Sequence, residues 1–264
     1  MAQLLFVHAH SPLHPGTGQS LGAVDLAVAR DKATGYPYLP GSSLKGALRA
    51  KARAHADVVK VFGPDTSEAE KSSGSGVFGD ANLLFLPMKT AKGLFGYVTT
   101  EYILRRFLRD AELAGVAPRP AKGDVGQAVT DGNSVQFDEV SSATVTQPPL
   151  LTKALGYLPQ KLLSEVQPRA VCVTDDMFRM LLEQGLDLVT RVRINPETNT
   201  ADAGGLWLEE NLPVETILVS VIGALRDSRT VATLIGKLAE GTTYLGGHVT
   251  VGRGRTQLHI GGAP

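Results

Sequence analysis

The stretch that decides the reading of this chain is His14-Pro15-Gly16-Thr17-Gly18, followed by Val24-Asp25, by Gly35-Tyr36-Pro37, and by Pro40-Gly41-Ser42-Ser43-Leu44-Lys45-Gly46 with Arg49. Glycines and prolines punctuate a long loop, Ser11 to Pro40, and loops of that length in a compact domain usually carry function. The loop holds an isolated acid, Asp25, among Ala23, Val24, Leu26, Ala27 and Val28. It then enters a helix expected to start at Ser42 or Ser43, where a hydroxyl can cap the free N–H groups, and to run to about Ala56. Leu44, Leu48 and Ala52 share one row of that helix. Lys45, Arg49 and Arg53 share the adjacent row at the same spacing of four.

A helix start offers free N–H groups and the positive end of its dipole, both of which attract phosphate. No acid occurs between Asp31 and Asp57. Gly16, Gly18, Ser43, Lys45, Arg49 and Arg53 therefore form a candidate surface for a phosphate backbone, with Asp25 beside it. An ordinary solvated helix face is the plain alternative for the basic row.

Composition constrains the partners. The chain has 264 residues, 43% of them hydrophobic, so it can bury a substantial core in one or two domains. Lys plus Arg and Asp plus Glu both number 26, giving zero formal charge. Bulk charge does not drive nucleic-acid binding here, but a local stripe of cations can. The single cysteine, Cys172, excludes an intrachain disulfide or a thiolate zinc site and reads as a buried apolar side chain. The start of the sequence lacks a basic leader, and no apolar run is long enough to cross a bilayer, so a cytoplasmic protein without membrane contact is expected.

Strands are expected over Leu4–His10, Asn82–Pro87, Leu94–Thr99, Thr216–Leu225 and Arg255–Ile260. Helices are expected over Glu101–Ala114, from a Thr174 cap to about Gln184, and over Ser228–Ala239. Residues 64–76 read as a polar, glycine-rich surface loop. Residues 116–170 show no sustained period and read as an insertion of mixed structure. Alternating runs at Val189–Ile194 and Gly205–Glu209 flank the turn-rich Asn195-Pro196-Glu197-Thr198-Asn199, a protruding β-hairpin. Strand–helix–strand order at both ends points to an α+β, ferredoxin-like sheet decorated by insertions, in a single domain over 1–264.

Several residues carry candidate chemistry. Asp25 is a turn or capping aspartate on the ordinary reading and a catalytic carboxylate on the sharper one. Glu209 and Glu210 end the hairpin, and adjacent acids at a strand end usually face solvent. His14 shares the loop of Asp25 and suits either proton transfer or a turn hydrogen bond. His8, His10 and His14 could together hold zinc, although their spacing matches no established template. The segment Gly246-Gly247-His248-Val249-Thr250-Val251-Gly252-Arg253-Gly254-Arg255 combines glycines that allow positive φ with arginines suited to phosphate oxygens. A tight turn explains its glycines but not its arginines. Aromatics are only 6% of the chain, so base stacking is not the expected mode of binding.

The His-Pro-Gly loop, Asp25, the Pro-Gly-Ser-Ser-Leu-Lys-Gly helix start, the hairpin ending in paired acids and the C-terminal glycine-rich segment resemble, in that order, the backbone subunit of type III-B CRISPR (Cmr) effector complexes, of the RAMP superfamily. The resemblance implies a modified ferredoxin-like (RRM-like) RAMP fold with a hairpin thumb at about 189–210. It also implies guide (CRISPR) RNA lying along Ser43, Lys45, Arg49 and Arg53, with Gly252, Arg253 and Arg255 in the glycine-rich signature. Its further implications are head-to-tail copies, other Cmr subunits as partners, and an endoribonuclease that cuts single-stranded target RNA at regular intervals. Asp25 matches the family residue needed for cutting, with Glu209 a candidate helper from the same or a neighbouring copy and His14 a third candidate. A divalent metal, Mg²⁺ or Mn²⁺, would bind at Asp25, weakly without substrate. Relatives carry a tyrosine where this chain has Asn211. The competing readings are a non-catalytic guide-RNA-binding subunit, a stand-alone RAMP endoribonuclease processing precursor guide RNA, and a glycine-loop binder of small phosphates.

Overall fold

Strand β1, Gln3–Ala9, runs through the middle of the molecule's main sheet, with only Gln3 not fully buried. The structure is a computed structural model that describes residues 2–16, 18, 24–64, 73–119, 123–137, 141–145 and 148–261. β1 lies between β11 (Ile217–Ala224) and β13 (Arg255–Gly261), antiparallel to both. The sheet extends on one side to β12 (Thr242–Tyr244) and on the other through β4 (Ala81–Lys89), β5 (Phe95–Thr100) and β8 (Ala170–Val173). Short strands β2 (Tyr38–Leu39) and β3 (Gly76–Phe78) pair with β4 and β11. The β5–β8 pairing is parallel, so the sheet is mixed and the fold is α+β.

Alternation along β1 sets which residues face which layer. Phe6 packs edge-on against Phe107 of helix α3 (Glu101–Leu113), at 6.0 Å between ring centroids. His8 lies on the same face as Phe6. The α3 face of the sheet buries Ile103, Leu104, Phe107 and Leu108, the apolar stripe expected of a helix seated on a sheet. Thr100 caps α3 by accepting from Ile103 N–H, and Thr174 caps α6 (Asp175–Gly185) in the same way through Met177 N–H. Helix α7 (Ser228–Leu238) is capped by Asp227.

Helix α1 departs from its expected form. It spans Gly41–Lys51, with Pro40 as N-cap and no side-chain cap from Ser42 or Ser43, both exposed. The Gly41 N–H instead donates to Asp80 Oδ1 at 2.7 Å, a residue just before β4. The helix also ends early, at Ala52, and a separate short helix α2 (Val58–Phe62) follows. The apolar row holds: Leu44, Leu48 and Ala52 are buried. We expect Asp80→Ala to cost about 1 kcal/mol in chemical denaturation, the usual worth of an N-terminal cap. Ser42→Ala should leave the midpoint unchanged.

Residues 116–170 contain more order than their pattern suggests. They form a small hairpin, β6 (Ser134–Phe137) with β7 (Ser141–Thr144), and helices α4 (Pro149–Leu155) and α5 (Gln160–Val166). Most of the expected loop at 64–76 lies outside the described residues. The hairpin β9 (Asp187–Ile194) with β10 (Ala201–Asn211) forms a sheet of its own, and Leu188, Val192, Ile194 and Leu206 on it are exposed. Among the described residues, no helix is long and apolar enough to cross a membrane.

Candidate functional site

Three segments far apart in sequence meet at the base of this hairpin. The N-terminal loop joins the end of β10 through a Leu13–Leu212 bridge and a parallel Leu26–Glu209 bridge. Leu26 N–H donates to Leu208 O at 3.0 Å and Glu210 N–H to Leu26 O at 2.9 Å. The C-terminal glycine-rich segment closes over the same loop: Gly247 N–H donates to His14 O at 2.9 Å and Gly254 N–H to Pro12 O at 2.8 Å. Gly254 sits at φ 73°, where an added Cβ would collide with Leu245 O, so its glycine is required by both conformation and space.

Asp25 is exposed, one residue before the bridge. Its Oδ2 accepts from Leu208 N–H at 2.8 Å. Among the described residues that is the carboxylate's one hydrogen bond, so Oδ1 is available to a second partner. The hairpin end and Asp25 thus meet within one chain, without a neighbouring copy.

The paired acids do not face solvent. Glu209 is wholly buried, and its carboxylate is faced by two arginines and a histidine. Arg191 Nε lies 3.0 Å from Oε2, His248 Nε2 3.8 Å from Oε2, and Arg253 Nε 3.7 Å from Oε1. The Asn211 amide donates to Oε1 at 3.1 Å. Burial pushes the Glu209 carboxyl up, but the hydrogen bonds from Arg191 and Asn211 and the charges of His248 and Arg191 outweigh it, and the net shift is downward. Glu210 is committed as well, accepting from Arg30 at 2.6 Å and from Val28 N–H at 3.1 Å. The pair therefore anchors the loop and hairpin, and neither carboxylate is free to join Asp25.

His14 is buried, and its Nδ1–H donates to Glu210 O at 2.7 Å. Its ring stands 5.1 Å from that of His248. Gly16 must lack a side chain, because a Cβ there would run into His14 Nε2. His14 therefore faces away from His8 and His10, and the three-histidine zinc set does not form. His8 and His10 do meet, at 3.4 Å between Nδ1 and Nε2.

The arginines of the glycine-rich segment have architectural partners. Arg253 faces Glu209, and Arg255 donates to His10 O at 3.0 Å. Gly18 and Gly252 are exposed at φ 94° and 87°. Lys45 on α1 is half-buried, and Arg53 lies in the exposed turn just beyond the helix rather than on its basic row; neither side chain makes a hydrogen bond or ion pair among the described residues. Arg49 is half-buried between them.

Arg30, Arg191, His248 and Asp80 are the residues that sequence reading missed. Each acts across a long chain separation, and only His248 had a local signal, the glycines flanking it.

One exposed carboxylate does not make a resident metal site. Among the described residues, the one group of three possible ligands is His8, Glu165 and Glu215, which lacks Asp25. Any ion at Asp25 would need most of its ligands from a bound phosphate or water.

Comparisons with known proteins identify the family and the fold. A family model described as the RAMP superfamily matches residues 6–263. The chain is 34% identical to the CRISPR system Cmr endoribonuclease Cmr4 of Pyrococcus furiosus, covering 98% of this chain and 95% of that one. It is 28% identical to the CRISPR system CMR subunit Cmr4 of Saccharolobus solfataricus, covering 96% and 94%. The crystal structure of oligomeric Cmr4 from Pyrococcus furiosus superposes with a TM-score of 0.73 at 25% identity, covering 100% of both chains. A chain of the type III-B Cmr-β complex bound to cognate target RNA gives a TM-score of 0.77 at 26% identity, covering 98% of this chain and 97% of that one.

Proposed function

The chain belongs to the RAMP superfamily, in its Cmr4 branch, and from that membership we propose that it binds guide RNA along the phosphate backbone, assembles head-to-tail with copies of itself and other Cmr subunits, and cuts paired target RNA at Asp25. The observation that carries this reading is the setting of Asp25: an exposed carboxylate, held at one oxygen by the Leu208 N–H, one residue from the Leu26–Glu209 bridge that ties the loop to the hairpin.

In the proposed reaction the target's 2′-OH gives its proton to the Asp25 carboxylate and its oxygen attacks the adjacent phosphorus. The new 2′-O–P bond forms as the P–O5′ bond breaks, and the departing 5′ oxygen takes a proton from water. The products are a 2′,3′-cyclic phosphate and a 5′-hydroxyl. Arg191, Arg253 and His248 hold Glu209, and through it the backbone on which Asp25 rests. They are positioning residues.

A divalent ion, Mg²⁺ or Mn²⁺, enters this proposal only as a companion of the RNA, with Asp25 its one protein carboxylate and phosphate oxygens completing its shell. When bound it would neutralise charge developing on the phosphate. The test is target cleavage by the reconstituted complex, with the ends analysed for cyclic phosphate and EDTA added in a parallel arm. Metal-independent cutting of precursor repeat RNA by the lone chain would favour the processing-enzyme alternative.

The hairpin β9–β10 suits a thumb, since it forms a sheet apart from the main one and leaves Leu188, Val192, Ile194 and Leu206 exposed. Guide RNA is proposed to follow Ser43, Lys45, Arg49 and Arg53, with the exposed Gly18 and Gly252 and the half-buried Gly16 allowing close approach. Removing two phosphate contacts with a Lys45→Ala, Arg53→Ala double variant should shallow the log K versus log salt slope by about 1.4 for a single strand. Fluorescence anisotropy across a salt series measures it, and an unchanged slope removes the row from the interface.

The non-catalytic reading has one observation in its favour: Asp25 already bonds Leu208 N–H, as a purely architectural turn residue would.

A further inference from the structure

A second cluster of chemistry-bearing side chains lies on the α3 face of the main sheet, and nothing in the proposed RNA reaction uses it. His8, on β1, is buried, and its Nε2 lies 2.7 Å from Glu215 Oε2. Tyr97 OH donates to the same Oε2 at 2.8 Å, from the fully buried Tyr97 of β5. Glu165, exposed on α5, brings a second carboxylate, and the ligand atoms of His8, Glu165 and Glu215 all lie within 4.8 Å of one another. His10 Nε2 stands 3.4 Å from the other ring nitrogen of His8. The ring of His259 is 6.3 Å away, and its Nε2 is buried without a hydrogen-bond partner.

We propose that His8, Glu165 and Glu215 bind one divalent transition-metal ion, with zinc the best fit, and that this ion staples helix α5 to the centre of the sheet. Charge supports it. Two carboxylates around one imidazole carry minus two when the ring is neutral and minus one when it is protonated, and a divalent ion balances the first case in full. Ligand type supports it too, since one imidazole and two carboxylates form a donor set that Zn²⁺ accepts, with water in a fourth position. The outer contacts follow the usual arrangement around a metal-binding histidine. Nδ1 of His8 has a partner in His10, which fixes the ring, and the Glu215 carboxylate is itself hydrogen-bonded by Tyr97.

The backbone presents Glu215 for this purpose. Glu215 adopts φ 72°, a left-handed conformation that few residues other than glycine, asparagine and aspartate enter, and its N–H is tied to Ala9 O at 2.7 Å. Seating a metal with bonds of about 2.0–2.2 Å asks the widest donor separation, up to 4.8 Å, to close by roughly an ångström, which the exposed Glu165 side chain can supply. It also asks the His8–Glu215 pair, 2.7 Å apart, to open by roughly half an ångström as the ion replaces their hydrogen bond.

The competing occupant is a proton, giving a simple His8–Glu215 ion pair with Glu165 a bystander. Calorimetric titration of the untagged, EDTA-stripped full chain with Zn²⁺ separates the two. The proposal expects one equivalent bound and a higher Tm. Glu165→Gln should weaken binding at least tenfold while leaving the Tm of the metal-free chain unchanged, and Asp25→Asn should leave Zn²⁺ binding intact. Absence of saturable Zn²⁺ binding overturns the proposal, as does wild-type affinity in Glu165→Gln or loss of binding in Asp25→Asn.

Discussion

Asp25→Asn is expected to stop target cleavage, with a fall of at least about 100-fold, the lower end of what a positioned acid–base group contributes, while guide-RNA binding and assembly keep their wild-type values. The substitution changes little else. The amide is the same size, and its oxygen can still accept the Leu208 N–H, so the loop keeps its connection to the hairpin. What disappears is the negative charge and the proton acceptor. Cleavage is read from end-labelled target RNA, and binding by anisotropy on the same preparation. Wild-type cutting by the asparagine variant would reject the catalytic assignment and leave the non-catalytic reading in place.

Glu209→Ala is the most damaging single change expected for stability, at about 2–4 kcal/mol by chemical denaturation, because removing one member of a buried ion cluster strands the others. Arg191, Arg253 and His248 all face that carboxylate. They keep partial access to water, which places the loss below that of a fully enclosed pair. Glu209→Gln retains the shape and the Asn211 contact and should lose less. Cleavage should fall in both variants, since Leu26 and Leu208 flank the lost anchor. A midpoint in Glu209→Ala equal to wild type would show that the cluster contributes nothing.

The same carboxyl predicts an acid response. Its folded pKa lies below the ordinary carboxylate value, so its contribution is complete above that value and fades as pH falls through the lowered one. Denaturation midpoints followed from neutral pH downward should therefore drop less steeply in Glu209→Gln than in wild type. Equal slopes would place the acid sensitivity elsewhere, for example at Glu215, which His8 lowers in the same direction.

Much of the architecture was legible because it is written in local periods and caps. The apolar row Leu44, Leu48 and Ala52, the Thr174 cap and the alternating hairpin strands all depend on residues within a few positions of one another. The cap of α1 did not, because Asp80 lies 39 positions from Gly41 and no local rule links them. The paired acids illustrate the same limit. Glu209 reads as a surface charge by its neighbours, and only packing against Arg191, His248 and Arg253 makes burial tolerable. Helix α5 was hidden inside a segment with no sustained period, so Glu165 could not be set beside His8. The zinc set His8, His10 and His14 failed because His14 bonds the hairpin end at Glu210 O while His8 is turned to Glu215, a pairing across the fold that no local spacing shows.

The connection at Leu208 makes the hairpin a lever. The residue belongs to strand β10, and its amide grips Asp25 while its carbonyl grips Leu26. A rigid tilt of the arm about its base would drag Asp25, the proposed cutting group, along. On the proposed reaction, RNA held against the hairpin and the carboxylate that takes its proton would then move as one mechanical part, so each incision would keep a constant offset from the place where the arm meets the RNA.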